Sequence, residues 1–243
     1  MMNFEYPMSE KGRTYLRFEH LFLEMKRAMQ FDNDSDDTVF FKALFEFLEL
    51  YERSDCRNDF IKDLQKLSEQ LVSWLNYPNV NKVAIQDLID EIESLIVQTK
   101  AAPKQLRYFK GNRFLTSLKQ RIAIPSGTCS FDLPHYHFWK HSGQANKCKE
   151  AKTWFDQFSV FYQALTIFLK LKRSQGRSEA HVAVNGFSQG TVKDCLFIAV
   201  KIENKLSVYP MISGHKNRYS VRFMSANSEN KLADKIEFEI ISF

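Results

Sequence analysis

The stretch YPMISGHKNRYSVRFM, residues 209–224, contains the pattern that decides the fold of the C-terminal part of the chain. A turn at 213–217 leads into a segment with alternating side chains. Tyr219, Val221 and Phe223 fall on one side of it, and the other side carries Lys216, Arg218, Ser220, Arg222 and Met224. Successive side chains of a strand point to opposite faces. We therefore predict a strand with one face in a core and one basic face.

Period-two patterns also occur on both sides of this segment. They predict strands at roughly 180–188, 194–202, 205–212, 217–224 and 235–242, separated by turn residues such as Asn185-Gly186. In KIEFEIIS, residues 235–242, the apolar residues Ile236, Phe238 and Ile240 alternate with charged ones. The pattern predicts an antiparallel β domain over 179–243.

The residues before this region follow a helical period. Ser9 is a candidate N-cap, and apolar residues after it recur at spacings of three and four. The stretch FDNDSDD, residues 31–37, interrupts the pattern; it lacks the glycine and distal glutamate of a calcium loop, so we predict a solvated loop that caps the next helix. Further helices are predicted up to a short one around 113–121, followed by an ordered connection at 122–135 and a long helix over 148–172.

Helices first and antiparallel strands later predict an α+β fold. The predicted organisation is a mainly helical domain over 1–178, which includes the Pro/Gly-containing connection at 122–135, and an antiparallel β domain over 179–243.

Composition and charge exclude several classes of protein. No apolar run approaches the roughly 20 residues that span a bilayer, and the N-terminus has no apolar signal core, so we expect a cytoplasmic protein without membrane insertion. The four cysteines form no CxxC pair, which predicts reduced thiols. Residues 1–100 carry a net charge of −7 and the remainder +12, which together give +5. Either an acidic partner binds the C-terminal half, or the acidic half docks on it.

No convincing catalytic, cofactor or metal site is predicted. Cys129 could pair with His135, His137 or His141 as a base, but no local signature surrounds it, and a small buried cysteine is the simpler interpretation. On a helix, His137 and His141 would share a face and His135 would not, and no carboxylate follows at ligand spacing. The glycines form no phosphate-binding motif.

Binding is the better prediction for the basic face. Arginines interleaved with aromatic residues are typical of nucleic-acid surfaces, but the alternation turns Tyr219 and Phe223 away from Arg218 and Arg222. Such a strip suits a carboxylate-bearing peptide, because guanidinium groups bind carboxylates bidentately. An edge strand protected by charges is the structural alternative.

Four stretches resemble the ZapD (Z-ring-associated protein D) family of bacterial cell-division proteins. They are YPMSEKGRTYLRFEHLF at 6–22, QRIAIPSGTCSFDLPHYHFWKH at 120–141, NGF at 185–187 and YPMISGHKNRYSVRFM at 209–224. Residues 31–110 agree only in hydrophobic pattern and spacing. The family's IPGG reads IPSG here, with Ser126 in place of a glycine.

The resemblance implies a non-catalytic homodimer that acts at the mid-cell division ring. It implies binding to the C-terminal tail of FtsZ, the tubulin-like GTPase of that ring, and bundling of FtsZ filaments, without cofactor or metal. We predict that the tail-binding residues are Arg17, Arg113, His137, Lys216, Arg218 and Arg222. Arg17 could instead bridge domains, and His137 could be a packed core residue. A nucleic-acid-binding module that uses the same basic face is the alternative function.

Overall fold

The computed structural model describes residues 1–53, 56–101, 105–204, 207–226 and 232–243. Helices dominate the N-terminal part and an antiparallel sheet the C-terminal part, which confirms the predicted α+β class. Within the described ranges the helices are α1 (Glu10–Ala28), α2 (Asp36–Arg53), α3 (Cys56–Trp74), α4 (Lys82–Ala101), α5 (Gln105–Gly111), α6 (Arg113–Ile122), α7 (Pro134–Lys140), α8 (Gln144–Asp156) and α9 (Ser159–Ser174). The strands are β1 (Met2–Pro7), β2 (Arg177–Val184), β3 (Phe187–Thr191), β4 (Phe197–Ile202), β5 (Val208–His215), β6 (Arg218–Ser225) and β7 (Lys235–Ser242).

The chain packs as two compact units. The sheet unit comprises Met1–Arg17 and Leu169–Phe243, and the helical unit comprises Phe18–Phe168. Both ends of the chain therefore contribute to the sheet unit. The predicted division into a mainly helical domain at 1–178 and an antiparallel β domain at 179–243 stays a prediction.

The sheet unit contains one seven-stranded sheet in the order β1-β4-β7-β2-β3-β6-β5, in which every neighbouring pair is antiparallel. The sheet curves enough for its two end strands, β1 and β5, to contact each other. Its inner face forms an apolar core of buried side chains from most of the strands: Met8, Ala183, Ile198, Val200, Ile202, Tyr219, Val221, Phe223, Ile236, Phe238 and Ile240.

The sequence pattern predicts helices in the N-terminal region and does not predict strand β1. The segment is short, and its partner β4 lies near the other end of the chain, with Met2 opposite Ile202. Helix α1 follows at once, and Ser9 Oγ accepts a hydrogen bond from the Gly12 N–H at 3.0 Å, which confirms Ser9 as an N-cap.

At two tight turns, the observed strand boundaries differ from the predicted ones. Asn185 and Gly186 have φ values of +51° and +72°, as a two-residue hairpin requires, so the predicted strand at 180–188 is in fact parts of β2 and β3. The other turn is shorter than predicted, because β5 continues to His215 and β6 begins at Arg218. Lys216 lies in this turn with φ +55°, and its predicted position on the strand face is wrong. The predicted strand at 205–212 begins at 205–206, which lie outside the described residues.

The helical unit is built around packed aromatic rings. The ring centroids of Phe22 and Phe47 are 4.6 Å apart, and those of Phe47 and Phe158 are 4.7 Å apart. The predicted single helix over 148–172 is wrong, because α8 ends at Asp156 and α9 begins at Ser159. The break between them directs Phe158, which is 1% exposed, into the aromatic core.

The connection at 122–135 is ordered, as predicted, by successive short-range backbone hydrogen bonds. Its Ser126 has φ +56°, a left-handed conformation that favours glycine. In the predicted solvated loop at 31–37, Phe31 and Asp37 are exceptions because both are buried, and α2 already begins at Asp36. The Asp37 carboxylate lies 3.1 Å from Lys147 Nζ and 3.9 Å from Lys140 Nζ.

Candidate partner-binding surface

Strand β6 lies between β3 and β5, and its side chains alternate as predicted. Tyr219, Val221 and Phe223 are buried in the core of the sheet unit, whereas Arg218 and Arg222 are exposed. We call the solvent-facing side of β3, β6 and β5, opposite the core, the outer face. The register fixes which side chains are neighbours on it.

The basic groups of the outer face are available to a partner. Neither Arg218 nor Arg222 forms an ion pair with another described residue. His215 is the cross-strand neighbour of Arg218 and is also exposed. Two of the predicted site residues, Arg218 and Arg222, therefore lie on the outer face, and Lys216 is an exposed residue of the turn between β5 and β6.

Apolar side chains flank Arg222 on the same surface. Phe187 on β3 and Met211 on β5 are its cross-strand neighbours, and the Arg222 guanidinium carbon lies 6.0 Å from the Phe187 ring centroid. Tyr209 pairs in the same way with Met224. The expected separation of arginines from aromatic rings is therefore wrong for the surface as a whole, because neighbouring strands supply the rings.

The inner side of β6 fixes its position against β3. Gly190 lies opposite Tyr219, and a Cβ at position 190 would come within 2.4 Å of the Tyr219 hydroxyl oxygen. Burial, and to a smaller extent the charge of Glu179, raise the pKa of Tyr219. The phenol therefore remains neutral within the packed strand. The register between β3 and β6, which aligns the outer face, depends on glycine at position 190, where there is no room for a side chain.

Arg17 is an exposed residue of α1 within the sheet unit. No ion pair joins it to another described residue. It remains a candidate for a partner contact.

The two other predicted site residues lie in the helical unit. Arg113 is exposed at the first position of α6, after the Asn112 N-cap. His137 is exposed on α7, and its ring lies 4.5 Å from that of His141. The alternative that His137 is a core residue is therefore wrong. Arg113 and His137 belong to helices that are in contact with each other.

A groove of about 540 Å³ lies beside these two helices in the helical unit. On one wall, the Phe114 ring centroid lies 4.8 Å from that of His135, with the two rings tilted by 60°. On another, Trp139 Nε1 donates a hydrogen bond of 2.6 Å to Glu150. Phe138, also at the groove, is 72% exposed. Sequence reasoning did not find this groove, because its walls come from helices whose packing it did not predict.

The catalytic and metal hypotheses involved Cys129, His135, His137 and His141. Cys129 is a half-buried free thiol. The ring of His137 lies beside that of His141, the residue that follows α7, whereas His135 packs on Phe114, as the helical spacing predicted. Among the residues that the structure describes, no group of three His, Cys, Asp or Glu side chains could hold a metal ion.

None of the described helices is long and apolar enough to cross a membrane.

Comparison with known proteins identifies the class. A family model for a cell division protein, ZapD, matches residues 16–222. The chain is 36% identical over 237 residues to Cell division protein ZapD of Photobacterium profundum, with 98% of this chain and 97% of that protein covered. It is 33% identical over 238 residues to the protein of the same name from Vibrio vulnificus, with 98% and 97% covered. For Pectobacterium carotovorum the identity is 34% over 238 residues, with 98% and 95% covered.

These similarities define the chain as a bacterial cell-division protein. It belongs to the ZapD family, which confirms the family resemblance of the four sequence stretches.

Proposed function

We propose that the protein binds the C-terminal tail of FtsZ through the outer face and bundles FtsZ filaments at the mid-cell division ring. The observation that carries the proposal is the pair of exposed arginines on β6, Arg218 and Arg222, which have no ion-pair partner among the described residues. Family membership supports the division role.

The proposed chemistry is recognition of carboxylates. A guanidinium group offers two parallel donors to a carboxylate, and a bidentate pair is stronger and more selective than a single contact with an ammonium group. Arg218 and Arg222 would bind carboxylates of the tail, with Lys216 adding charge from the turn. Arg17, Arg113 and His137 would contribute further contacts. The proposal requires neither catalysis nor a cofactor.

Bundling then follows from valency. A homodimer presents two copies of the site, so it holds tails of two neighbouring filaments, and many weak contacts along a bundle gain strength through effective concentration. Such a protein would act in the cytoplasm at the division ring. Measuring the mass of the purified protein by sedimentation equilibrium tests the dimer.

Co-sedimentation with polymerised FtsZ tests the binding site. Wild-type protein is compared with Arg218→Glu/Arg222→Glu, using intact FtsZ and FtsZ without its tail. We expect bundles only with the intact tail and the wild-type arginines. Bundling that survives both changes would reject the outer face as the tail site and direct attention to Arg17 and Arg113.

Nucleic-acid binding is the second candidate, and the position of Phe187 beside Arg222 favours testing it. A basic surface with an adjacent ring can bind phosphates and stack a base. Gel-shift measurements with single- and double-stranded DNA and RNA separate the two functions. Tight binding with a steep salt dependence would favour this candidate, whereas the tail-binding proposal expects weak, nonspecific binding.

A further inference from the structure

The outer face carries an apolar patch as well as the arginines, and the patch surrounds Arg222 at one end of that face. We define the apolar patch by its exposed side chains, which are Phe187, Tyr209, Met211 and Met224 on the outer face and Val182 and Val184 on the adjoining strand β2. We infer that the outer face recognises a partner segment that combines carboxylates with apolar side chains, and that Phe187 and Met211 determine its specificity. The inference rests on the proposed function and adds to it the chemistry of the bound segment.

The sheet register places the centre of the apolar patch around one arginine. Phe187 is opposite Val184 on one side and opposite Arg222 on the other, and Met211 is the neighbour of Arg222 on the far side. Val184, Phe187 and Met211 are 56%, 41% and 56% exposed. Four adjacent strands therefore form a row in which Arg222 is surrounded by exposed apolar groups.

The opposite end of the outer face is polar. Four positions earlier on β6, Arg218 lies between Thr191 and His215, and Ser220, between the two arginines, lies between Gln189 and Ser213. At about 3.4 Å per residue, the α-carbons of Arg218 and Arg222 are about 13 to 14 Å apart. The surface thus has an arginine in polar surroundings and an arginine in apolar surroundings.

This arrangement specifies what a bound segment must contain. In an extended segment, carboxylates four positions apart reach both arginines, and an apolar side chain beside one carboxylate covers Phe187 or Met211. Removing that apolar surface from water adds a contribution that salt does not screen. A partner with charge alone would leave the patch exposed.

Charge selects this occupant over a second copy of the chain. An interface between two copies of the outer face would bring the same unpaired arginines together, whereas a carboxylate-bearing segment neutralises them. Phosphates of a nucleic acid would also neutralise them, and the rings of Phe187 and Tyr209 would stack bases. The exposed side chains of Val184 and Met211 would then remain without an apolar partner, which favours the peptide segment.

Two single variants, Phe187→Ser and Met211→Ser, test the inference. Both residues are exposed and contribute nothing to the core of the sheet unit, and thermal unfolding checks that each variant folds. Val83→Ser, at a 72% exposed position of the helical unit, is the matched control. The first probe is a fluorescently labelled peptide of the FtsZ C-terminal tail, and anisotropy measures its Kd at low and high salt.

We expect about fivefold to tenfold weaker binding of the tail peptide by each outer-face variant and no change for Val83→Ser. The loss should persist at high salt. Unchanged Kd values for both variants, with loss of binding by Arg222→Glu, would overturn the inference and leave the proposed function standing.

A second probe separates this inference from the proposed function. It is a synthetic peptide with two glutamates four positions apart and a leucine beside one of them, compared with the same peptide carrying serine for leucine. If the wild-type protein ignores the FtsZ tail yet prefers the leucine peptide, the proposed function fails and the inference stands. Equal affinity for the two peptides would overturn the inference.

Discussion

Ser126 occupies a backbone conformation that glycine adopts more easily. Its φ of +56° lies in the left-handed region, where a Cβ costs about 1–2 kcal/mol. Glycine would remove this cost, which raises the free energy of unfolding. It also makes the unfolded chain more flexible, which lowers the free energy of unfolding by about 0.4–1 kcal/mol. We expect Ser126→Gly to raise the free energy of unfolding by about 0.5 kcal/mol in total, measured by urea denaturation.

The neighbouring glycine gives the opposite result for a steric reason. A Cβ at Gly127 would lie 2.5 Å from the Arg121 carbonyl oxygen, so Gly127→Ala should lower the free energy of unfolding by about 1–3 kcal/mol. At Gly111 a Cβ would meet nothing within 4 Å, and Gly111→Ala is the control. A Ser126→Gly protein that is less stable than wild type would contradict the strain argument.

Between elements, an ion pair joins two strands of the sheet. Glu239 on β7 accepts hydrogen bonds from Lys201 on β4 and from Ser178 on β2, both at 3.1 Å. The hydrogen bond from Lys201, and then that from Ser178, lower the pKa of Glu239 from its ordinary value of 4.5. Because the folded state has the lower pKa, the stabilisation is complete above about pH 4.5 and is lost as the pH falls through the folded value.

Glu239→Gln tests this linkage. The variant should be less stable than wild type at pH 7, and the difference should shrink as the pH falls below about 4.5. Urea denaturation between about pH 3 and pH 7 measures it. Glu237→Gln, two positions earlier on β7, is the control, since no ion pair joins Glu237 to another described residue. A difference independent of pH would contradict the role of the carboxylate charge.

At the same scale, sequence patterns predicted elements well where the signal is local. The period in α1 and the alternation of Ile236, Phe238 and Ile240 in β7 depend only on neighbouring residues, and both elements are present. The break between α8 and α9 was missed, because the apolar spacing runs on across it while the aromatic core places Phe158 at the break.

The candidate site could be predicted only in part. Alternation within one strand identified Arg218 and Arg222 as exposed. The apolar neighbours Phe187 and Met211 depend on which strands pair and in what register, and that is decided by packing across the sheet. The signal in β5 was present, since Tyr209 and Met211 alternate with Pro210 and Ile212.

For the whole molecule, the proposed bundling depends on two intact sites in one dimer. Mixing wild type with Arg218→Glu/Arg222→Glu and allowing subunits to exchange gives about a quarter of dimers with two wild-type sites at equal amounts. We expect bundling, measured by sedimentation, to fall well below half, because a dimer with one site binds without bridging. Bundling proportional to the wild-type fraction would contradict bridging by dimers.

Salt dependence is a second whole-molecule prediction. Exposed charge pairs contribute about 0.2–1 kcal/mol each and are screened by ions. Bundling should therefore weaken progressively between about 0.05 and 0.5 M salt. Equal sedimentation of FtsZ bundles across this range would contradict an electrostatic contribution from the arginines.

The position of β1 in the sheet has a consequence for protein synthesis. Met2 pairs with Ile202, 200 positions further along the chain. At about 5–20 residues per second, a ribosome takes about 10–40 s to make that interval. During this time β1 has been synthesised without its partner, so β1 and β4 cannot pair until residue 202 has been made.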